Sequence, residues 1–261
     1  MGDAQRFDDL SDELARAVRE HPELVGLALM GSASEAGRHR RDEWSDHDFF
    51  AIAADGAGPR VRADLSWLPR QEHLVLALPE GGAGVVALYD DGHLLEFAAA
   101  HRSELDGALA TDATVKVDDA AGSVGALVAA AQERALAADA VDPAVEAGLA
   151  IVKLRIGVGR ARRGEVVSGG LFVRTWALQH LVRALRGRLL DPHEPLRDLL
   201  EPTRRLERVL PRQAAAIAAA VEQPVEPAAR ALLALMRDEL EPGWPEFPSR
   251  AADAVSQRFG W

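Results

Sequence analysis

The sequence predicts an α+β protein with a strand-rich front and a helical back. Three observations carry this. Short apolar runs bounded by turn residues recur between residues 24 and 117. From about residue 121, Ala, Leu and Arg dominate at helical spacing and strand signals stop. The charge balance changes at the same place. Residues 1–120 carry 24 acids and 11 bases, whereas residues 121–261 carry 17 and 19. The expected organisation is two domains, 1–120 and 121–261, an α+β domain followed by a helical bundle.

Taken in order, Phe7 to Glu20 places Phe7, Leu10, Leu14, Ala15 and Val18 on one helical face. Leu24 to Met30 is an apolar run ending at Gly31-Ser32, which reads as a buried strand entering a tight turn. Ser34 to Ser45 is polar and basic, hence a loop. Asp48 to Ala53 reads as a second strand, Val61 to Leu68 as a short helix after the Gly56–Arg60 break, and His73 to Leu78 as a third strand. Gly84 to Tyr89 and His93 to Ala98 flank Asp90-Asp91-Gly92, a hairpin signal because Asp-Gly supplies the turn. Thr114 to Val117 adds a short strand. Helices are predicted at about 122–139, 143–162, 170–187, 203–221 and 226–240. The second of these opens on Asp142-Pro143, an N-cap followed by Pro at the first helical position.

Composition narrows the function classes. There is no cysteine, which rules out disulfides and thiolate metal sites. The acidic, amphipathic first residues do not form a secretory signal, and no apolar run approaches the roughly 20 residues of a membrane span. A cytoplasmic protein without membrane association is expected. The net charge of −11, concentrated in the front half, argues against a nucleic-acid partner and favours cations or a basic substrate. It also serves plain solubility. Of the 30 basic residues only Lys116 and Lys153 are lysines, which with the abundant Ala is a mark of base composition.

The chemistry concentrates in Gly31–Phe50, GSASEAGRHRRDEWSDHDFF. Asp46 and Asp48 are two apart at the mouth of a strand, so both carboxylates project from one face. Like charges held this close need a cation. A hard, oxygen-seeking ion such as Mg²⁺ suits them, since Mg²⁺ is commonly held by a few carboxylates plus substrate phosphates. The Gly31-Ser32 turn would bring backbone N–H groups and a hydroxyl alongside, donors that suit phosphate. Glu96, in the apolar segment HLLEFAAA, is expected to be mostly buried and to supply a third acid. A triad on neighbouring strands can hold two metals on a triphosphate. The competing reading of Glu96 is an acid on an edge strand facing water.

With these residues in view, Gly31-Ser32, the segment Asp42-Glu43-Trp44-Ser45-Asp46-His47-Asp48, and Asp91-Gly92 leading to Glu96, the sequence resembles the nucleotidyltransferase-fold superfamily of polymerase β type. It is most similar to the streptomycin 6-adenylyltransferases and, less closely, the lincosamide nucleotidyltransferases. The motifs span roughly residues 24–98, and the rest of the resemblance is one of layout. It implies a catalytic domain with a mixed sheet flanked by helices, followed by a helical domain. It further implies Asp46 and Asp48 as metal ligands, Glu96 as third ligand or general base, and Gly31 and Ser32 on the β- and γ-phosphates. The cofactors implied are Mg²⁺ and ATP or another NTP as co-substrate. The acceptor would be a small hydroxylated molecule, aminoglycoside-type or lincosamide-type antibiotics among the candidates, attacking the α-phosphate with release of pyrophosphate.

Other readings stand beside this one. His47 between the acids spells His-Asp and raises an HD-type metal phosphohydrolase, although such sites lie on helices. An antitoxin-like or inactive relative that binds a protein partner or nucleotide is a further alternative, disfavoured by the length and the three retained acids. Lys153, inside an apolar helical stretch, reads either as a lysine reaching the triphosphate or as a snorkelling side chain. Arg160, Arg162 and Arg163 read as a helix end complementing its dipole. Glu165 has no motif to fix a role. Arg38, His39, Arg40 and Arg41 read first as a loop offsetting nearby acids. His93 is explained by its turn, Trp44 either lines a pocket or packs the loop, and Trp176 belongs to a helix core. The sequence leaves oligomeric state open.

Overall fold

The structure, a computed structural model, describes residues 3–261. Helix α1 (Asp3–Glu20) is followed by strands β1 (Leu24–Met30) and β2 (His47–Ala53), a short helix α2 (Gly58–Ala63), and strands β3 (Leu74–Pro79), β4 (Gly84–Tyr89), β5 (Leu94–His101) and β6 (Ala113–Val117). The strands form one sheet in the order β3-β4-β5-β2-β1-β6. Only β2 and β5 run parallel, and every other neighbouring pair is antiparallel. The sheet is therefore mixed and flanked by helices.

Strand alternation gives this sheet two different faces. On one, Leu27, Leu29, Phe49, Ala51, Leu95 and Phe97 pack against Phe7, Leu10 and Leu14 of α1 and against Val61, Trp67 and Leu68. Phe49 and Phe97 stack with ring centroids 4.6 Å apart. On the other face, Ala28, Ile52 and Ala100 pack against Val124, Leu127 and Val128 of helix α3 (Ser123–Asp139). Because α3 packs on part of this second face, the first compact unit runs on to Ala137 and the second begins at Ala138, although composition changes near residue 121.

The second unit is helical: α4 (Pro143–Arg162), α5 (Val166–Leu171), α6 (Leu178–Leu189), α7 (Leu206–Val209), α8 (Pro211–Val221), α9 (Val225–Leu240) and α10 (Ser249–Phe259). Asp142 caps α4 by accepting from the Ala144 N–H at 2.8 Å, with Pro143 in the first turn, as its sequence signature requires. Ile151, Leu154, Leu181, Leu185, Leu232 and Met236 form the core. Glu146, buried on α4, is tied to His180 of α6 at 2.7 Å.

Four expectations needed revision. The helix expected at 170–187 is instead α5 and α6 joined through a π-helical turn, Phe172–Ala177. The one expected at 203–221 is broken at Pro211, whose missing N–H and locked φ suit the first turn of α8 but not the interior of a longer helix. The short helix begins earlier, at Gly58, with Pro59 in its first turn. α10 was not anticipated; its buried apolar stripe is only Ala252 and Val255. No helix among the described residues is long and apolar enough to cross a membrane.

Candidate metal centre

The opening carboxylates meet a third one through sheet register. Asp48 lies in β2 opposite Met30 of β1 on one side and opposite Glu96 of β5 on the other. Asp46 precedes β2 by one residue and, two positions from Asp48, shares its face. Each of Asp46, Asp48 and Glu96 offers a carboxylate oxygen, and these oxygens lie within 4.8 Å of one another. Asp46 and Asp48 are half-buried. Glu96 is exposed, contrary to the burial expected from its apolar neighbours in sequence. Its strand is interior to the sheet, but the face it occupies is uncovered there. Partial burial, then the charges of Asp46 and Glu80, push the Glu96 carboxyl above its usual range.

Gly31 sits against this cluster. Its φ is +51°, a left-handed conformation that favours glycine, and a Cβ at this position would stand 3.2 Å from Asp48 Oδ2. Its N–H is already committed to the Asp112 carbonyl at 2.8 Å. The glycine therefore admits the chain beside the carboxylate and does not itself offer a free donor to phosphate. Ser32 is buried, and its hydroxyl makes only a 3.5 Å contact with the Asp46 carbonyl. Ser34, a residue the sequence reading passed over as loop, ties the turn together: its hydroxyl donates to the Gly31 carbonyl at 2.8 Å and accepts from the Gly37 N–H at 3.0 Å.

The basic run braces this turn. Arg38 and Arg41 both pair with Asp8 of α1, at 2.7 and 2.5 Å, and Arg40 pairs with Asp112. Arg41 also donates from Nε to the Ser32 carbonyl at 3.1 Å and lies over the Phe7 ring at 4.1 Å. Their charges are thus spent within the protein.

His47 points to the opposite face from its acidic neighbours. It is fully buried, stacked on Phe7 with centroids 3.8 Å apart, 2.9 Å from Ser11 Oγ through Nε2 and 2.7 Å from His93 Nε2 through Nδ1. Ser11 donates its hydroxyl proton to the Phe7 carbonyl at 3.2 Å. That assigns a proton to His47 Nε2 and leaves Nδ1 to accept from His93. Burial, then the neighbouring His93 and Arg41, hold His47 well below the usual histidine range. His93 is pushed down as well, by burial first. His93 is thus more than a turn residue. It joins the carboxylate-bearing hairpin to β2 and, through His47, to α1. Sequence alone offered no signal for this chain of contacts, because Ser11, His47 and His93 are dispersed.

Trp44 is 85% exposed and does not pack the loop. Lys153 belongs to the second unit, half-buried on α4, its Nζ 6.0 Å from the ring centroids of Phe172 and Trp176. Trp176, expected in a helix core, lies in the π-helical turn and is 42% exposed. Arg160 lies over Phe172 at 4.3 Å, Arg162 pairs with Glu226, and Arg163 pairs with Glu165 at 3.0 Å.

The solved structures similar to this chain include two distant ones. One is a nucleotidyltransferase-like protein from Exiguobacterium sibiricum 255-15, at 13% identity and a TM-score of 0.35, over 98% of this chain and 80% of that one. The other is an aminoglycoside 6-adenyltransferase from Bacillus subtilis, at 12% identity and a TM-score of 0.31, over 100% of this chain and 93% of that one. No family model matches the chain, and no curated protein matches it. At these identities and scores no residue's role transfers, and the functional reading rests on the carboxylate cluster itself.

Proposed function

We propose that the protein is a Mg²⁺-dependent nucleotidyltransferase that moves a nucleoside monophosphate, AMP from ATP as the first candidate, onto a hydroxyl of a small acceptor. The observation that carries this reading is the convergence of Asp46, Asp48 and Glu96 oxygens within 4.8 Å beside the Gly31-Ser32 turn. The donor set is all carboxylate, which fits a hard divalent cation. Partial burial first, then the charges of Asp46 and Glu80, raise the Glu96 carboxyl, and a cation at the cluster would offset the charge part of that. Asp46 and Asp48 would hold the metal, with Glu96 as the third ligand or the base. Mg²⁺ bound there would neutralise triphosphate oxygens and ease departure of pyrophosphate.

The chain's own groups would do the rest. The acceptor hydroxyl, placed at Glu96, gives its proton to the carboxylate as its oxygen attacks the α-phosphorus and the bond to pyrophosphate breaks. Raising the Glu96 carboxyl makes its anion a better proton acceptor. Gly31 lets the turn approach Asp48, and the Ser32 hydroxyl is the nearby donor for a phosphate. The assignment uses first-unit residues only and needs nothing from Lys153. His47, turned into the core, takes no part in metal binding, which removes the basis for an HD-type hydrolase.

Titration calorimetry with a non-hydrolysable ATP analogue, with and without Mg²⁺, tests the reading on wild type and Asp48→Asn. Mg²⁺-dependent binding lost in the variant supports it. Pyrophosphate release on screening hydroxylated antibiotics and metabolites would then identify the acceptor. A wild type that binds no Mg²⁺-nucleotide would overturn the enzyme reading and leave one that binds a protein partner.

A further inference from the structure

The sheet face that carries the carboxylates continues past them as an apolar surface. Following register across the strands, Asp48 is opposite Glu96, Glu96 opposite Val86, and Val86 opposite Leu78. The adjacent row on the same face runs Leu94, Leu88, Leu76. Helix α3 packs on this face over Ala28, Ile52 and Ala100, with Phe50 and Ala98 at its margin, and over Met30 through Ala131. Beyond Glu96 the sheet is left as a shelf: Val86, Leu88 and Leu94 are half-buried, while Leu76 and Leu78 are 46% and 49% exposed. Edge strands are commonly blunted by charges, but β3 carries none from Leu74 to Pro79. At about 4.8 Å per strand, Leu78 lies about 10 Å from Glu96. Glu80 follows the end of β3, close enough to Glu96 for its charge to be felt there.

We propose that this shelf is the acceptor subsite and that it takes an amphipathic amino alcohol, whose hydroxyl meets Glu96, whose hydrocarbon face lies on Val86, Leu88, Leu76 and Leu78, and whose ammonium meets Glu80. The proposal rests on the nucleotidyltransferase reading for the chemistry at Glu96. The shelf is continuous with the carboxylates, and a contiguous exposed apolar patch beside a polar cluster marks a binding surface. Acids bound it, which selects a cation. A polyhydroxylated polycation fits poorly, because hydroxyls laid on these four apolar side chains would give up water without gaining partners.

The test uses the full chain and α,ω-amino alcohols as probes: 4-amino-1-butanol, 6-amino-1-hexanol and 8-amino-1-octanol, followed by calorimetry. Affinity is expected to rise about twofold to fourfold per methylene. Leu76→Ser and Leu78→Ser together, both at exposed positions, should flatten that slope while the thermal melt stays in place. Glu80→Gln should weaken the amino alcohols but not 1-octanol, and octanoate should bind worst. Absence of chain-length dependence, octanoate binding as well as the amine, or a slope unchanged by the serine pair would each overturn the proposal. So would sedimentation showing a dimer that Leu78→Ser dissociates without changing probe binding, since β3 would then be a subunit contact. Because the probes need no turnover, the two readings fail separately. Graded binding without pyrophosphate release from ATP keeps the shelf and removes the transferase. Pyrophosphate release with acceptors that ignore chain length does the reverse.

Discussion

Asp48 and Glu96 stand directly opposite each other on the one parallel strand pair of the sheet, forty-eight positions apart in the chain. Neither would be a metal ligand alone. Their pairing, with Asp46 two residues before Asp48, makes a three-carboxylate set out of a hairpin and a loop. Asp48→Asn should therefore lower transfer at least about 100-fold and remove Mg²⁺-dependent nucleotide binding, while the chain still melts cooperatively. Calorimetry and circular dichroism on the same preparation check both halves.

Gly31→Ala is a sharper probe of the turn. The left-handed φ costs an L-residue about 1–2 kcal/mol, and the new methyl would press on Asp48 Oδ2. The expected result is a lower urea midpoint together with weaker Mn²⁺ binding. A variant with wild-type stability and affinity would mean that the turn relaxes away from Asp48.

His47→Leu separates the two faces of β2. It leaves the Ser11 hydroxyl and His93 without their buried partner, at a cost of about 1–3 kcal/mol, yet it touches none of the three carboxylates. Stability should fall while Mn²⁺ binding persists. Loss of metal binding in a variant that still melts cooperatively would restore the histidine as a ligand.

In the second unit, Arg186 is only 2% exposed and is held by Asp139 at 3.4 Å and by the Asp198 carbonyl at 2.6 Å. Asp139 also holds Arg197 at 2.6 Å. Asp139→Ala removes the ion-pair partner of a buried guanidinium and should destabilise by about 3–5 kcal/mol, read from chemical denaturation. A loss under about 1 kcal/mol would show that water reaches Arg186 once the partner is gone.

Glu226 gives a pH signature. It accepts from Arg162 at 2.9 Å and from the Trp261 indole at 3.3 Å, and Arg162 holds its carboxyl below the usual value of 4.5. A lowered carboxyl stabilises the fold above its unfolded pKa, and this is lost as pH falls through the folded one. Wild type should therefore melt above Glu226→Gln at neutral pH, and the gap should close as pH drops below about 4.5. A gap that stays constant down to pH 3 would assign the difference to packing.

The strands and most helices were legible because their signals are local. Leu24–Met30 is an apolar run ending in Gly-Ser, Asp90-Asp91-Gly92 marks a turn between two apolar runs, and Asp142-Pro143 announces α4. The π-helical turn at Phe172–Ala177 was not, because extra backbone winding is set by packing and leaves no periodicity in six residues. Glu96 was singled out from its apolar surroundings, but its exposure was misjudged. Neighbours in sequence say which residues alternate, whereas burial depends on which face a helix covers.

By itself the sequence determined the alternation that puts Asp46 and Asp48 on one side of a strand and His47 on the other, since a period of two is a property of the extended backbone. It determined as well where strands give way to helices. The tertiary structure alone decided that Glu96 is the residue facing Asp48, that Arg38, Arg40 and Arg41 are spent on Asp8 and Asp112, and that Ser11, His47 and His93 join. It also decided that the apolar face of β3 and β4 beside the carboxylates is left partly exposed. Each of these depends on register and on pairings across tens of residues, which local propensity does not encode and only the packing of the sheet between its helices selects.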